Sequence, residues 1–236
     1  LDDPVNFARE INDCLADDGI WFFEQSYMPG MLDSLSFDTI CHEHYEYYSL
    51  TTIKYILDKA DLYIADVIFN DVNGGSFGVI AKKDLKSITK QSQATINWVL
   101  EREKKCGFDT VTPYLKFASE IKSFRDDLVS LINKLKDSGA TICGIGASTK
   151  GNVLLQYCNF SSDQISFIGD VNEEKFGCFT PGTFIPIISE EEVLNLKPDY
   201  LLILPWHFKY HFIERFRDYR LSGGKIIFPL PNIQII

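Results

Sequence analysis

The most constraining stretch of the chain is Ala140–Ile145 followed by Gly146-Ala147-Ser148-Thr149-Lys150-Gly151, a short apolar run that ends in a glycine turn and passes directly into a helical pattern. A chain that makes this transition sets a helix N-terminus at the carboxyl end of a strand, the arrangement on which parallel α/β sheets place their ligands. The alternation continues downstream. Strand patterns at 140–145, 165–169, 199–204 and 224–228 are interleaved with helical patterns at 149–158, 189–196 and 208–220 and with a Gly/Pro-rich loop at 177–186. This is the signature of a parallel sheet covered by helices, so residues 138–236 are expected to form a Rossmann-like domain.

Upstream of it, residues 4–17 carry apolar side chains at helical spacing after Pro4, and Asp17-Asp18-Gly19 stops the pattern. Ile20-Trp21-Phe22-Phe23 is a continuous apolar run of the kind found in a buried parallel strand. A helix follows from Leu50, with Ile53, Ile56, Leu57 and Ala60 on one face. The segments 62–72 and 76–82 have strand character, and Asn73-Gly74-Gly75 between them reads as a hairpin turn. Charged helical patterns at 88–106 and 111–136 are expected to bridge two domains. The expected organisation is therefore the end of one α/β sheet domain at 1–84, bridging helices at 85–137, and a second sheet domain at 138–236. The chain enters its first helix directly after Leu1-Asp2-Asp3, which reads as the later part of a longer protein.

Composition narrows the function classes. A net charge of −10 argues against sequence-independent binding to nucleic acid or to anionic membrane, since both rely on clustered cations. No apolar run reaches membrane-spanning length and the first twenty residues lack a signal-peptide pattern, so a cytoplasmic location is expected. The six cysteines are scattered, without Cys-x-x-Cys or structural zinc spacing, and are expected to be reduced thiols.

Two constellations carry chemistry. At the strand–turn–helix, the unpaired N–H groups of the helix start and the Lys150 ammonium suit a phosphate. Gly144-x-Gly146 then Gly151 departs from the dinucleotide spacing, although Asp170 falls near the position of a ribose-binding acid. The readings left open are a nucleotide, a nicotinamide dinucleotide, and a tight turn with no ligand. In the second constellation, Asp38 to Ser49, His42, Glu43 and His44 are consecutive. A histidine beside a carboxylate can serve as a general base near neutral pH. A metal site would need a third ligand that the local sequence does not force, so no metal is assigned; packing roles for these residues and for Tyr45, Tyr47 and Tyr48 also stand.

Taken together, Cys41-His42-Glu43-His44-x-x-Tyr47-x-Ser49, Asn73-Gly74-Gly75-Ser76, Gly144-x-Gly146-Ala147-x-x-Lys150-Gly151-Asn152, Pro181-Gly182-Thr183, Leu204-Pro205-Trp206-His207-Phe208 and Gly223-Gly224-Lys225 resemble the sugar C-methyltransferases that use S-adenosylmethionine on nucleotide-linked keto sugars. The motifs run in order along the whole chain. The resemblance implies the C-terminal part of a class I methyltransferase sheet followed by a Rossmann-like domain that helps to hold the nucleotide sugar. It implies a cofactor site upstream of this chain, a zinc segment further upstream, and no activity of this chain alone. The implied catalytic residues are His44 as base, Glu43 and His42. The implied substrate contacts are Gly146, Ala147, Ser148, Lys150, Gly151, Asn152, Asp170, Thr183 and Trp206. Cys41 stands where the family commonly has a tyrosine, and His207 where it more usually has an asparagine. A nucleotide-sugar-binding module without catalysis and an NAD-dependent oxidoreductase are the competing readings.

Overall fold

The computed structural model describes residues 2–70, 74–86 and 88–236. The chain divides into two compact units, one of residues 1–34 and 43–117 and the other of 35–42 and 118–236. The expected bridging segment 85–137 is thus shared between them.

The first unit opens with helix α1 (Pro4–Cys14), whose start is fixed by the Asp3 carboxylate accepting the Asn6 N–H at 2.9 Å and by Pro4 in the first turn. Strand β1 (Trp21–Ser26) leads into the short helix α2 (Met28–Asp33), and helix α3 (Leu50–Asp58) precedes strands β2 (Tyr63–Asn70) and β3 (Ser76–Lys82) and helix α4 (Lys90–Lys105). The strands form a sheet of order β1-β3-β2 in which both pairings are antiparallel. The hairpin of β2 with β3 is present as expected; Val72 and Asn73 lie outside the described residues.

The run at Ile20–Phe23 is not a strand buried on both faces between parallel neighbours. Its one described partner is antiparallel, and its side chains alternate: Trp21 and Phe23 pack against the core while Phe22 is 55% exposed over Gly78. A continuous apolar run therefore hid a period of two. The core is built from Leu50, Ile53 and Leu57 of α3, Phe77, Val79 and Ala81 of β3, and Ile96 and Val99 of α4.

One buried carboxylate ties this unit together. Glu103 on α4 accepts hydrogen bonds from the amides of Leu50 and Thr51 at 2.8 Å each, from the Thr51 hydroxyl at 2.6 Å and from the Tyr27 hydroxyl at 2.8 Å. A carboxylate at a helix N-terminus satisfies orphan donors and meets the positive end of the dipole. Burial and the Glu103 charge hold the Tyr27 phenol well above its ordinary pKa, so it remains a donor. Replacing Glu103 by Ala leaves four donors without their acceptor. It is expected to lower unfolding stability by about 3–5 kcal/mol in urea titrations, against about 1 kcal/mol for Tyr27→Phe.

The second unit takes over partway along helix α5 (Thr112–Asp137) and contains strands β4 (Ile142–Ile145), β5 (Ile168–Asp170), β6 (Ile187–Ser189), β7 (Tyr200–Ile203), β8 (Lys225–Phe228) and β9 (Gln234–Ile235). Their order is β6-β5-β4-β7-β8-β9, parallel except for β9. Helices α6 (Thr149–Tyr157), α7 (Glu190–Asn195), α8 (Lys209–Arg215) and α9 (Arg217–Leu221) connect them. The chain is α/β, with an antiparallel sheet in the first unit and a mixed, mainly parallel sheet in the second. The single helix expected at 208–220 is two helices broken at Phe216, and β6 and β9, too short for a periodic signal, were not anticipated.

Candidate functional site

The site is assembled where β4 turns into α6. Gly146 has φ of +90°, and a Cβ there would come within 2.6 Å of Pro205, so both backbone and packing require glycine. Gly151, in the first turn of α6, lies against Leu204, with room for no side chain (2.9 Å from a built Cβ to the Leu204 Cβ). These glycines bring α6 hard against the end of β7. The Ser148 hydroxyl caps α6 by accepting the Gly151 N–H at 3.1 Å.

Asp170, at the end of β5, braces the turn. Its carboxylate accepts the Ala147 N–H at 2.8 Å, the Asn172 N–H at 2.9 Å and the Lys175 ammonium at 3.0 Å, and Lys175 also donates to the Ala147 carbonyl at 2.9 Å. Burial pushes the Asp170 carboxyl up, but the Asn172 amide, Lys175 and the Ala147 amide outweigh it and hold it below the ordinary value. Its oxygens are thus engaged within the protein. Thr183 has a similar bracing part: its hydroxyl meets that of the buried Thr180 at 2.6 Å, while Gln156 of α6 donates to the Pro181 carbonyl at 2.8 Å.

Trp206 follows β7 and is buried, and its indole N–H donates to Asp38 Oδ2 at 2.8 Å. Asp38 sits in a single turn of 3-10 helix, Phe37–Thr39, which packs against α6; the Phe37 ring lies 5.1 Å from that of Tyr157 and 5.6 Å from that of Phe124. Burial raises the Asp38 carboxyl above its ordinary pKa, against the lowering effects of Trp206 and Lys150. Burial lowers the Lys150 ammonium in turn, with Asp38 and Cys41 acting the other way. In the sequence Asp38 stands only at the edge of the histidine cluster. Nothing in local periodicity could signal a partner 168 residues away.

His207, next to Trp206, is half-buried, and burial with the Lys150 charge pushes its imidazole down to about 4. It is therefore neutral at physiological pH. In the unfolded chain its pKa returns to about 6.5, so the unfolded state binds the extra proton between pH 6.5 and 4. The stability tied to neutral His207 is complete above pH 6.5 and is lost as the pH falls towards 4. Wild type should lose about 1–3 kcal/mol more than His207→Asn over this interval, measured as the difference between their urea midpoints.

His42, Glu43 and His44 lie in the irregular, exposed segment before α3. His42 closes the 35–42 segment of the second unit, whereas Glu43 and His44 belong to the first. A Glu43 carboxylate oxygen and a His44 ring nitrogen lie within 4.8 Å, close enough for the acid to orient or charge-stabilise the imidazole through a small adjustment. The His44 carbonyl accepts the Tyr47 hydroxyl at 3.1 Å, and downstream the Tyr48 carbonyl accepts the Met28 N–H at 2.9 Å. Ser49 then caps α3. A cavity of about 650 Å³ between α3 and α4 is lined by Thr51, Tyr55, Leu100, Glu103 and Phe108 and contains none of these candidate residues. The six cysteines are free thiols, and burial pushes Cys143 up to about 11 and Cys158 to about 12, which makes both poor nucleophiles. Among the described residues no helix is long and apolar enough to cross a membrane.

The chain belongs to the C-methyltransferases: residues 71–231 match the family model described as the C-methyltransferase C-terminal domain. Over 222 residues it is 32% identical to the C-methyltransferase NovU of Streptomyces niveus, a match that takes in 94% of this chain and 52% of that protein. The chain thus spans about half the length of the curated relative it matches.

Proposed function

We propose that residues 1–236 form part of an enzyme that transfers a methyl group from S-adenosylmethionine to a carbon of a nucleotide-linked keto sugar. Family membership supports methyl transfer to carbon. The observation that carries the substrate class is the start of α6: a capped helix N-terminus, set tightly against Pro205 and Leu204 by Gly146 and Gly151, with the Lys150 ammonium in its first turn. That surface suits the diphosphate of a nucleotide sugar. Asp170 and Thr183 contribute by fixing the turn and its neighbouring loop, Ala147 and Ser148 form the turn itself, and Asn152 lies in the first turn of α6.

His44 is the proposed base. It removes a proton from the carbon beside the ketone, the electron pair moves onto the ketone oxygen as an enolate, and the proton stays on the imidazole, where the Glu43 carboxylate favours the charged ring. His42 is the second histidine of the same segment. S-adenosylmethionine, when bound, supplies an electrophilic methyl. The described residues of the first unit offer no glycine turn from a parallel strand into a helix, so no residue of this chain is assigned to the donor, and none to zinc. In this reading both belong to other parts of the whole protein, and the chain alone does not turn over. The setting is cytoplasmic.

A nicotinamide-dependent reading is less well supported, because Asp170 would have to take ribose hydroxyls with oxygens already committed to Ala147, Asn172 and Lys175. Calorimetry of the chain is expected to show binding of uridine or thymidine diphosphate and none of NAD; binding of NAD alone would overturn the assignment. In the full-length protein, His44→Ala should lower kcat by about 10²–10⁴-fold with the dissociation constant for the nucleoside diphosphate within about twofold of wild type. An unchanged kcat removes His44 as the base, leaving a binding module with its chemistry elsewhere.

A further inference from the structure

Four buried side-chain polar atoms have no hydrogen-bond partner among the described residues, and three of them are Asp38 Oδ1, Asn152 Oδ1 and His207 Nδ1. Native proteins leave few such atoms, because each costs about 1–3 kcal/mol. Two of these share one neighbourhood: Asp38 is held to Trp206, the neighbour of His207, and the Lys150 charge acts on both Asp38 and His207. Asn152, two residues after Lys150 on α6, stands on another face of that helix. All of them lie in the second unit.

Asp38 is the telling member. It is 1% exposed, its Oδ2 is taken by the Trp206 indole, and its Oδ1 makes no hydrogen bond of good geometry: the Asp38 and Thr39 amides lie close enough to lower the carboxyl's pKa somewhat, but the Thr39 amide is given to the Ser36 carbonyl at 3.2 Å. A buried carboxylate oxygen left open beside a lysine is an acceptor awaiting a donor. A bare anion would be repelled by Asp38, and a metal cation by Lys150. A neutral molecule or a part of one that carries hydroxyls, joined to a phosphate, suits this pair and the lysine, because a hydroxyl donates to the carboxyl oxygen and either donates to or accepts from a neutral imidazole.

We propose that Asp38 Oδ1 and His207 Nδ1 are hydroxyl-binding positions for a sugar of a nucleotide sugar whose phosphate is held at Lys150. This rests on the nucleotide-sugar reading above and adds the residues that read the sugar. It also gives the histidine at position 207 a part: its unpartnered ring nitrogen can bond a hydroxyl, and the neutral ring adds no charge beside Lys150.

The test is calorimetry of the chain with three probes, inorganic pyrophosphate, uridine diphosphate and uridine diphosphate glucose, for wild type, Asp38→Ala and Asp38→Asn, with thermal unfolding of each variant. Asp38→Ala should weaken uridine diphosphate glucose by about tenfold or more while changing pyrophosphate by less than about twofold or tightening it. A loss that is already present with uridine diphosphate assigns Asp38 to the ribose, and one that appears only with the glucose conjugate assigns it to the hexose. Asp38→Asn keeps an acceptor for Trp206 but replaces the open one with a donor. It should give the same ligand-dependent loss even if the Ala variant does not fold. Equal weakening of all three probes, or no change in any, would show Asp38 to be only a structural strut and overturn the proposal. If wild type binds none of the three, the nucleotide-sugar reading itself falls, and the hydroxyl positions with it.

Discussion

The hydrogen bond from the Trp206 indole to the Asp38 carboxylate is the constraint on which the second unit's candidate site depends. It fixes residues 35–42, a segment far away in sequence, beside α6 and the end of β7. The cost is a carboxylate almost wholly out of water, with one oxygen open. A purely structural tie would be better served by an amide or an apolar pair, because a buried charge is penalised unless every lone pair is met. In the proposed reading, its place next to Lys150 makes this packing contact part of a candidate site.

Around that tie the backbone is set by packing of small residues. Gly146 and Gly151 allow Pro205 and Leu204 to close on the turn, and Asp170 with Lys175 clamps Ala147 from the other side. The helix start is preorganised before any ligand arrives, which limits the ordering that binding must impose. The histidine segment is rooted differently. His42 ends the stretch that Asp38 ties into the second unit, while Glu43 and His44 precede the Tyr48, Ser49 and Glu103 contacts that hold the start of α3 in the first; all three are exposed.

Much of this was legible in the sequence where a signal is local. The glycine turn into α6, the helix from Leu50 and the β2–β3 pairing follow from spacing, capping residues and turn chemistry over a few positions. The Ile20–Phe23 run was misread because Trp, Phe and Phe in a row give no contrast between faces, and only the three-dimensional partners reveal that Phe22 points away from the core. Asp170 was read as a ligand acid from its distance to the glycines; the same position equally suits a brace, and Lys175 five residues on decides its environment. Asp38, His207 and Glu103 could not be found at all from spacing, since their partners are brought close by tertiary structure.

The central claim, that the α6 start with Lys150, Asp38 and Trp206 is the nucleotide-sugar site, can be tested on a single reporter. The chain has three tryptophans, Trp21 in β1, Trp98 in α4 and Trp206, so the three indole N–H signals of a nitrogen-15-labelled sample can be followed by NMR as uridine diphosphate glucose is added. The account predicts that the Trp206 indole signal shifts and saturates with the ligand while those of Trp21 and Trp98 stay in place. A saturable shift confined to Trp21 or Trp98, or binding detected by calorimetry with the Trp206 signal unmoved, would contradict it.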